Sequence, residues 1–219
     1  MYIYKTKPFK HQEEIIDDSW KRPYYALFME MGLGKSKVII DTIGKLKTAG
    51  EIDSALIIAP KGVYDNWVKQ EIPNHLPDSI ERFVVRWQPS KAKKFQDDMQ
   101  KVVFEIMAGV KFLVMNIEAF SSERGKKAAY YFLRKNEDNI MVIDESTTIK
   151  NRKANRTKNI IDVSKHAKYK RILTGSPVTK SPMDLFSQCN FLDPMALGQS
   201  SYFAFQNRYA VVQRKTFGS

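Results

Sequence analysis

The sequence contains few of the residues that form covalent cross-links and metal clusters. Its 219 residues include one cysteine, Cys189, and three scattered histidines, His11, His75 and His166. A single cysteine excludes an internal disulfide and a zinc site built from several cysteines. Cys189 lies in an apolar helical pattern, which favours a buried thiol over a nucleophile.

Long apolar segments are also missing. No apolar run is long enough to span a bilayer, and the first ten residues lack the apolar stretch of a secretory signal. These two absences predict a cytoplasmic protein without a membrane partner.

The sequence has no internal repeat, no low-complexity segment and no obvious linker. We therefore expect residues 1–219 to form a single domain.

Acidic residues are outnumbered by basic ones. The chain has 36 lysines and arginines against 24 aspartates and glutamates, which gives a formal net charge of +12. A protein this basic is suited to bind a polyanion such as nucleic acid. The alternative is a basic surface that only keeps the protein in solution.

Short apolar runs alternate with helical patterns along the chain. The runs are continuous, as expected for strands whose two faces are both covered by helices. This alternation predicts an α/β fold with a mainly parallel sheet flanked by helices. The predicted strands lie near 24–29, 54–60, 81–87, 111–116, 139–145 and 170–176, and the clearest predicted helices span 35–50, 64–76 and 91–109.

The stretch "MGLGKS", residues 31–36, predicts a phosphate-binding loop. Gly32 and Gly34 allow backbone N–H groups to point into a concave loop, and the following helix adds its positive end. Lys35 can reach the β- and γ-phosphates of a nucleotide, and Ser36 can ligate Mg²⁺. The usual pattern has glycine where Met29 stands, so an ordinary glycine turn before a helix is the alternative.

Two carboxylates end the strand predicted near 139–145. A nucleoside-triphosphate site needs one carboxylate to hold Mg²⁺ and another to activate the attacking water. Asp144 suits the metal and Glu145 suits the water, whereas the alternative for both is an acidic turn. Because a lysine–serine loop and an acidic strand end occur in the same α/β chain, we interpret them as one ATP site.

Several segments resemble, in the same order, the first RecA-like lobe of superfamily-two helicases, most closely the Swi/Snf-type DNA translocases. The resemblance runs from about Pro8 to Tyr209 and implies a RecA-like P-loop NTPase lobe that tolerates Met29. The segments that carry it are "PFKHQEEII", "EMGLGKS", "ALIIAPKGVYDNWVKQEI", "IDESTTIKN" and "ILTGSPVTKSPMDLFS".

The resemblance also implies roles for individual residues. Gln12 is expected to touch adenine, and Leu33 and Lys37 complete the ATP-binding stretch from Gly32. A coupling segment, Thr174, Gly175 and Ser176, is expected to transmit the nucleotide state. Family members often carry histidine where Thr147 stands, so the coupling in this chain is expected to differ.

Basic and polar residues at predicted strand ends are the nucleic-acid candidates. By resemblance they lie on the DNA side, and lysine and arginine would contact phosphates without reading sequence. The alternatives are a solvated helix face, on which helical spacing groups Arg152, Arg156 and Asn159, and a turn-capping role for Asn116. The candidates are Pro60, Lys61, Asn116, Lys150, Asn151, Arg152 and Lys153.

Together these features predict the ATP-binding lobe of a DNA-dependent ATPase that uses Mg²⁺ and moves along double-stranded DNA. The second RecA-like lobe of the same protein is expected outside this chain, so the chain alone should hydrolyse ATP poorly. The short lobe suits a microbial or phage-infected cell. Alternatives are a lobe of an RNA- or single-strand-directed helicase, and a nucleic-acid-binding module with an inactive ATP site.

Overall fold

The predicted apolar runs form the strands of one parallel sheet in the computed structural model, which describes residues 2–199 and 201–210. Within these residues the six strands follow the order β1-β6-β5-β2-β4-β3, and every neighbouring pair is parallel. The strands are β1 (Tyr24–Phe28), β2 (Ser54–Ala59), β3 (Arg82–Arg86), β4 (Val110–Asn116), β5 (Asn139–Asp144) and β6 (Tyr169–Thr174).

Helices cover both faces of the sheet. The α-helices are α1 (Lys10–Ser19), α2 (Lys35–Thr48), α3 (Tyr64–Asn66), α4 (Ile72–His75), α5 (Lys93–Phe104), α6 (Glu123–Lys135), α7 (Asn155–Ser164), α8 (Asp184–Leu192) and α9 (Tyr202–Tyr209). A π-helical turn, Trp67–Glu71, joins α3 to α4, and 3₁₀ turns span Ile117–Ser121 and Ser146–Ile149. None of the helices in this part of the chain is long and apolar enough to cross a membrane.

The sheet divides the interior into two hydrophobic cores. Along β2, Ala55 and Ile57 pack with α1 and α2, whereas Leu56 and Ile58 face the side of α5, α6 and α7. All six residues of β2 are buried, which explains the unbroken apolar run in its sequence. Each fully buried large aliphatic side chain contributes roughly 1.5–3 kcal/mol to folding.

Three helix predictions need correction. The helix predicted over 91–109 is shorter, since Glu105 is already extended. Helix α7 begins at Asn155, so Arg152 lies in the preceding loop and does not share a helical face with Arg156 and Asn159. The helix predicted over 64–76 contains the π turn, because the ring of Pro73 would clash with the carbonyl four residues earlier in a regular α-helix.

The strand order brings the predicted site together. Strands β5 and β6 lie between β1 and β2, so the carboxyl ends of β1, β6, β5 and β2 meet at one edge of the sheet. In parallel α/β sheets, ligands bind outside this edge. The loops after β1, β5 and β6 carry the phosphate-loop, acidic and coupling residues predicted from the sequence.

A buried arginine anchors the edge strand of this arrangement. The Arg171 guanidinium is fully buried in β6 and donates hydrogen bonds to five carbonyls, those of Ser19, Trp20, Arg22, Pro23 and Lys170. Burial lowers the pKa of Arg171 to about 10, so the side chain stays charged at neutral pH. It fixes the end of α1, and with it the start of β1, against the sheet.

We expect Arg171→Met to lower the free energy of unfolding by about 3 kcal/mol or more, because each buried carbonyl that loses its donor costs about 1–3 kcal/mol. Urea unfolding of the 219-residue chain measures this. Arg22→Ala is the control, since its side chain makes exposed contacts with Asp18, a hydrogen bond to the carbonyl and an ion pair, and an exposed ion pair is worth about 0–1 kcal/mol. Equal losses in both variants would contradict the anchoring role.

Candidate active site

The loop between β1 and α2 has the backbone of a phosphate cradle. Gly32 and Gly34 adopt positive φ angles of 82° and 77°, which favour glycine. A Cβ added to Gly34 would also lie 2.3 Å from Nε2 of Gln12. Helix α2 begins at Lys35, so its unpaired N–H groups and positive dipole end face the loop.

Lys35 lies across this loop. Its Nζ donates to the carbonyl oxygens of Met29 at 2.9 Å and Glu30 at 3.0 Å. Burial raises the pKa of the nearby Asp144 carboxyl, and the Lys35 charge opposes that rise in part. Within the described residues, the ammonium group is held by these two carbonyl oxygens, which an anionic phosphate can displace.

Gln12 and the phosphate loop are in direct contact. The buried Gln12 amide donates from Nε2 to the Leu33 carbonyl at 3.1 Å, and its Oε1 accepts from the Phe9 N–H at 3.0 Å. A ring nitrogen of His11 lies 3.2 Å from the same Leu33 carbonyl oxygen. The structure thus brings Gln12 to the loop, whereas its contact with adenine remains a prediction.

The Lys37 side chain is not brought to the loop. It is buried, and its Nζ donates to Asp41 and to the Thr6 carbonyl, each at 2.7 Å. This contact fastens the N-terminal segment to α2, together with a hydrogen bond from the Tyr2 hydroxyl to Asp41. A lysine four residues before an aspartate on one helix signals such a pair.

Asp144 ends β5 in a half-buried position. Burial raises the pKa of its carboxyl, whereas a hydrogen bond from Trp67 lowers it and the nearby Glu145 raises it. The bond runs from the Trp67 indole Nε1 to Asp144 Oδ2 at 2.9 Å. Trp67 is fully buried, and its contact with Asp144 was not predicted from the sequence.

Glu145 is the only non-glycine residue in the described part of the chain with a positive φ, 53°. Its Oε1 accepts two hydrogen bonds, from the hydroxyls of Thr147 and Thr174, both at 2.7 Å. The Thr174 hydroxyl in turn accepts the N–H of Ser176 at 3.2 Å. These bonds connect Glu145 to the coupling segment. Thr147, at the position where family members often carry histidine, bonds to the same carboxylate.

A second buried link joins β5 to the loop after β6. Ser146 donates to Oε1 of Gln188 at 2.6 Å, and the Gln188 amide donates to the carbonyls of Pro177 and Asp184, both at 2.8 Å. This link was missed from the sequence. A glutamine within the apolar pattern of α8 was its only signal, because a buried amide needs partners.

The phosphate loop and the two strand ends share one cavity. A cavity of about 480 Å³ is lined by Glu30, Met31, Glu145, Gly175 and Ser176. A Cβ on Gly175 would lie 3.5 Å from both the Met29 carbonyl oxygen and the Met31 nitrogen, so the coupling segment packs directly on the loop. The cavity therefore joins the start of the phosphate loop to Glu145 and to two residues of the coupling segment.

Two groups of nucleic-acid candidates lie at neighbouring strand ends. Ala59 of β2 pairs with Asn116 of β4, which places Pro60 and Lys61 beside Asn116. Lys61 is exposed. The Asn116 side chain accepts the Ala119 N–H at 2.8 Å. It therefore caps the following 3₁₀ turn, which was the alternative role predicted for this residue.

The third group, residues 150–153, follows the 3₁₀ turn after β5. Lys150 donates to the Thr179 hydroxyl, and Asn151 accepts the N–H of Lys153. The Arg152 guanidinium lies 4.0 Å from the centre of the Tyr202 ring in α9. Asn151 and Lys153 are exposed, whereas Lys150 and Arg152 are half-buried, so this group is partly held by neighbouring elements.

Comparison with known proteins identifies the family. The sequence model of the SNF2-related domain matches residues 25–216. The chain belongs to the SNF2-related family. Its sheet accordingly corresponds to the RecA-like core of SNF2 ATPases: 95% of the chain aligns with 40% of the "Sulfolobus solfataricus SWI2/SNF2 ATPase core in complex with dsDNA", with a TM-score of 0.73 and 23% identity.

Curated members of the SNF2-related family are much longer. The chain is 33% identical over 170 residues to "Probable ATP-dependent DNA helicase CHR12" of Arabidopsis thaliana, which covers 75% of this chain and 14% of that protein. It is 25% identical over 165 residues to "ATP-dependent helicase FUN30" of Saccharomyces cerevisiae, and this match also covers 75% of this chain and 14% of that protein. The chain thus spans about one seventh of these relatives.

Asp184 holds the loop that follows the coupling segment. Its Oδ2 accepts the Thr179 hydroxyl at 2.8 Å and the N–H groups of Thr179 and Lys180 at 3.0 and 2.8 Å. Partial burial alone would raise the pKa of Asp184, but these bonds outweigh it and lower the pKa to about 2. Because Thr179 also accepts from Lys150, Asp184 links the two loops.

We expect Asp184→Asn to lower the free energy of unfolding at pH 7 by about 1–2 kcal/mol, because three donors lose a charged acceptor. The folded pKa lies below the ordinary value of 3.8, so the ionised carboxylate stabilises the fold above that value. Its contribution is lost as the pH falls through about 2. Urea unfolding from pH 7 downward measures the difference.

The difference between the two proteins should therefore shrink below pH 3.8. Asp97→Asn, on the exposed face of α5, is the control and should change stability by less than about 0.5 kcal/mol. A difference that stays constant with pH would mean that the Asp184 charge does not hold the loop.

Proposed function

We propose that this chain is the nucleotide-binding lobe of a DNA-dependent ATPase that hydrolyses ATP to move along double-stranded DNA. The observation that carries the proposal is the shared cavity, where Glu145 and the coupling segment face the phosphate loop. Membership of the SNF2-related family supports it, since relatives are named ATP-dependent helicases and a similar structure is titled as a complex with dsDNA.

The residues at the site fit a magnesium ion. Mg²⁺ prefers hard oxygen ligands and is usually bound by one or two carboxylates together with substrate phosphates. Asp144 presents a carboxylate whose one oxygen is already fixed by Trp67, and Ser36 supplies a hydroxyl in the first turn of α2. These two residues would hold the ion, which when bound would neutralise phosphate charge.

The protein side chains divide the remaining work. Gly32, Leu33, Gly34 and the first residues of α2 cradle the phosphates with backbone N–H groups. Lys35 leaves its carbonyl partners and neutralises the β- and γ-phosphates, and Gln12 contacts adenine. Glu145 orients the attacking water and accepts its proton, using the oxygen that is not held by Thr147 and Thr174.

The same carboxylate makes the site sensitive to the nucleotide state. Because Thr174 donates to Glu145 and accepts from Ser176, a change at Glu145 alters the coupling segment directly.

We propose that a second RecA-like lobe of the same protein contacts this segment and supplies further cationic groups. We also propose that the protein acts in the cytoplasm of a microbial or phage-infected cell.

Duplex DNA is the proposed track. Lys61, Lys153 and the polar groups beside them lie at the carboxyl edge of the sheet, where they would contact phosphates regardless of sequence. Arg152 and Lys150 are already oriented by Tyr202 and Thr179, which lowers the entropy lost on binding. An RNA- or single-strand-directed helicase would use the same edge, so the choice of nucleic acid is an experimental question.

The test is ATP turnover by the full-length gene product with duplex DNA, single-stranded DNA or RNA. We expect duplex DNA to stimulate the rate most. Lys35→Ala should lower the stimulated rate by about 10²-fold or more, because it removes charge stabilisation of the transition state. Lys94→Ala, an exposed change on α5, is the matched control.

Stimulation only by RNA or single strands would favour the other helicase class. If Lys35→Ala leaves turnover unchanged, the chain is better described as a nucleic-acid-binding module with an inactive ATP site.

A separate prediction concerns the 219-residue chain alone. We expect it to bind Mg-ATP weakly and to turn it over slowly, because arginines from a second lobe typically raise phosphoryl-transfer rates about 10³–10⁵-fold. Steady-state phosphate release by the purified monomer measures this. Fast turnover by a verified monomer would show that the second lobe is not needed for chemistry.

A further inference from the structure

Trp67 connects the hydrophobic core beside α1 and α2 to Asp144. The side chain is fully buried in the core that also contains α1 and α2. Its indole Nε1 donates to Asp144 Oδ2 at 2.9 Å, across a separation of 77 residues in sequence. A buried indole needs an acceptor for its N–H, and here the acceptor is a carboxylate of the proposed metal site.

The backbone around Trp67 is specialised. Trp67 begins the π-helical turn, and the Ile72 N–H donates to the Trp67 carbonyl across that wide turn. Pro73 follows directly, and its ring would clash with the Lys69 carbonyl in a regular α-helix. The π turn removes this clash and changes the direction of the side chains that precede it. Such turns occur often at functional sites.

The Trp67 bond reaches one of the two oxygens of the Asp144 carboxylate. Oδ2 accepts the indole N–H at 2.9 Å. An indole is rigid and, when fully buried, cannot move without disturbing the core around it. Its bond to Oδ2 therefore restrains the carboxylate and leaves Oδ1 for another ligand.

We propose that Trp67 is a positioning residue for the metal: its indole N–H fixes the Asp144 carboxylate so that Oδ1 is presented to Mg²⁺. This inference rests on the proposed function, in which Asp144 holds the ion. Hydrogen bonds from outside the ligand set orient metal-binding carboxylates, and their loss typically weakens metal affinity about 10–100-fold. The alternative interpretation is that Trp67 only fills the hydrophobic core.

Trp67→Phe separates the two readings, because phenylalanine keeps most of the buried ring and lacks the N–H. Trp87→Phe is the matched control. Trp87 is also buried, but it belongs to the second core, on the other face of the sheet. Where Trp67→Phe fails to fold, Trp67→3-benzothienylalanine keeps the bicyclic ring and replaces the N–H by sulfur.

The readout is the affinity of the 219-residue chain for a fluorescent ATP analogue, measured with Mg²⁺ and with EDTA. The ratio of the two affinities is the metal-dependent gain. We expect Trp67→Phe to reduce this gain by about 10-fold or more, with the affinity in EDTA unchanged. Trp87→Phe should leave both affinities unchanged.

A double-mutant cycle with Asp144→Asn completes the test. We expect Asp144→Asn to abolish the metal-dependent gain, and the double variant to lose no more than Asp144→Asn alone, because coupled residues are not additive. If Trp67→Phe keeps the gain, or loses affinity equally in EDTA, Trp67 is a core residue only. If Asp144→Asn keeps the gain, the metal assignment in the proposed function is itself wrong.

Discussion

The hydrogen bond between the Thr174 hydroxyl and the Glu145 carboxylate is the contact on which the proposed site depends. It joins the ends of β5 and β6, while Gly175 packs against the phosphate loop. Glu145 reaches this position through a left-handed backbone conformation, which costs about 1–3 kcal/mol for a residue other than glycine. The surrounding bonds from Thr147 and Thr174 hold the residue in that conformation.

The strand order makes this contact possible, and buried polar anchors keep the order fixed. Arg171 fastens the segment between α1 and β1 to β6, and Lys37 fastens the N-terminal segment to α2. Gln12 of α1 contacts the phosphate loop. Gln188 of α8, which is bonded to Ser146, contacts the loop after β6. A nucleotide bound at the loop would therefore touch elements at the carboxyl ends of β1, β6 and β5.

The strands and the phosphate loop could be predicted because their signals are local. A buried parallel strand needs a continuous apolar run, as in β2 and β5, and a left-handed loop residue needs glycine, as at Gly34. The contacts of Trp67 with Asp144 and of Ser146 with Gln188 join residues far apart in sequence, so no local pattern reveals them. Lys37 was assigned to the loop from its position in the motif, whereas the helical period directs its side chain to Asp41.

A crystal structure of the chain with Mg²⁺ and a non-hydrolysable ATP analogue tests the central claim most directly. The nucleotide phosphates should lie on Gly32–Ser36, and the Lys35 Nζ should exchange the carbonyls of Met29 and Glu30 for the β- and γ-phosphates. Glu145 should face the γ-phosphate while it remains bonded to Thr174. A nucleotide bound elsewhere, or a Lys35 that keeps its carbonyl partners beside bound phosphates, would contradict the proposed site.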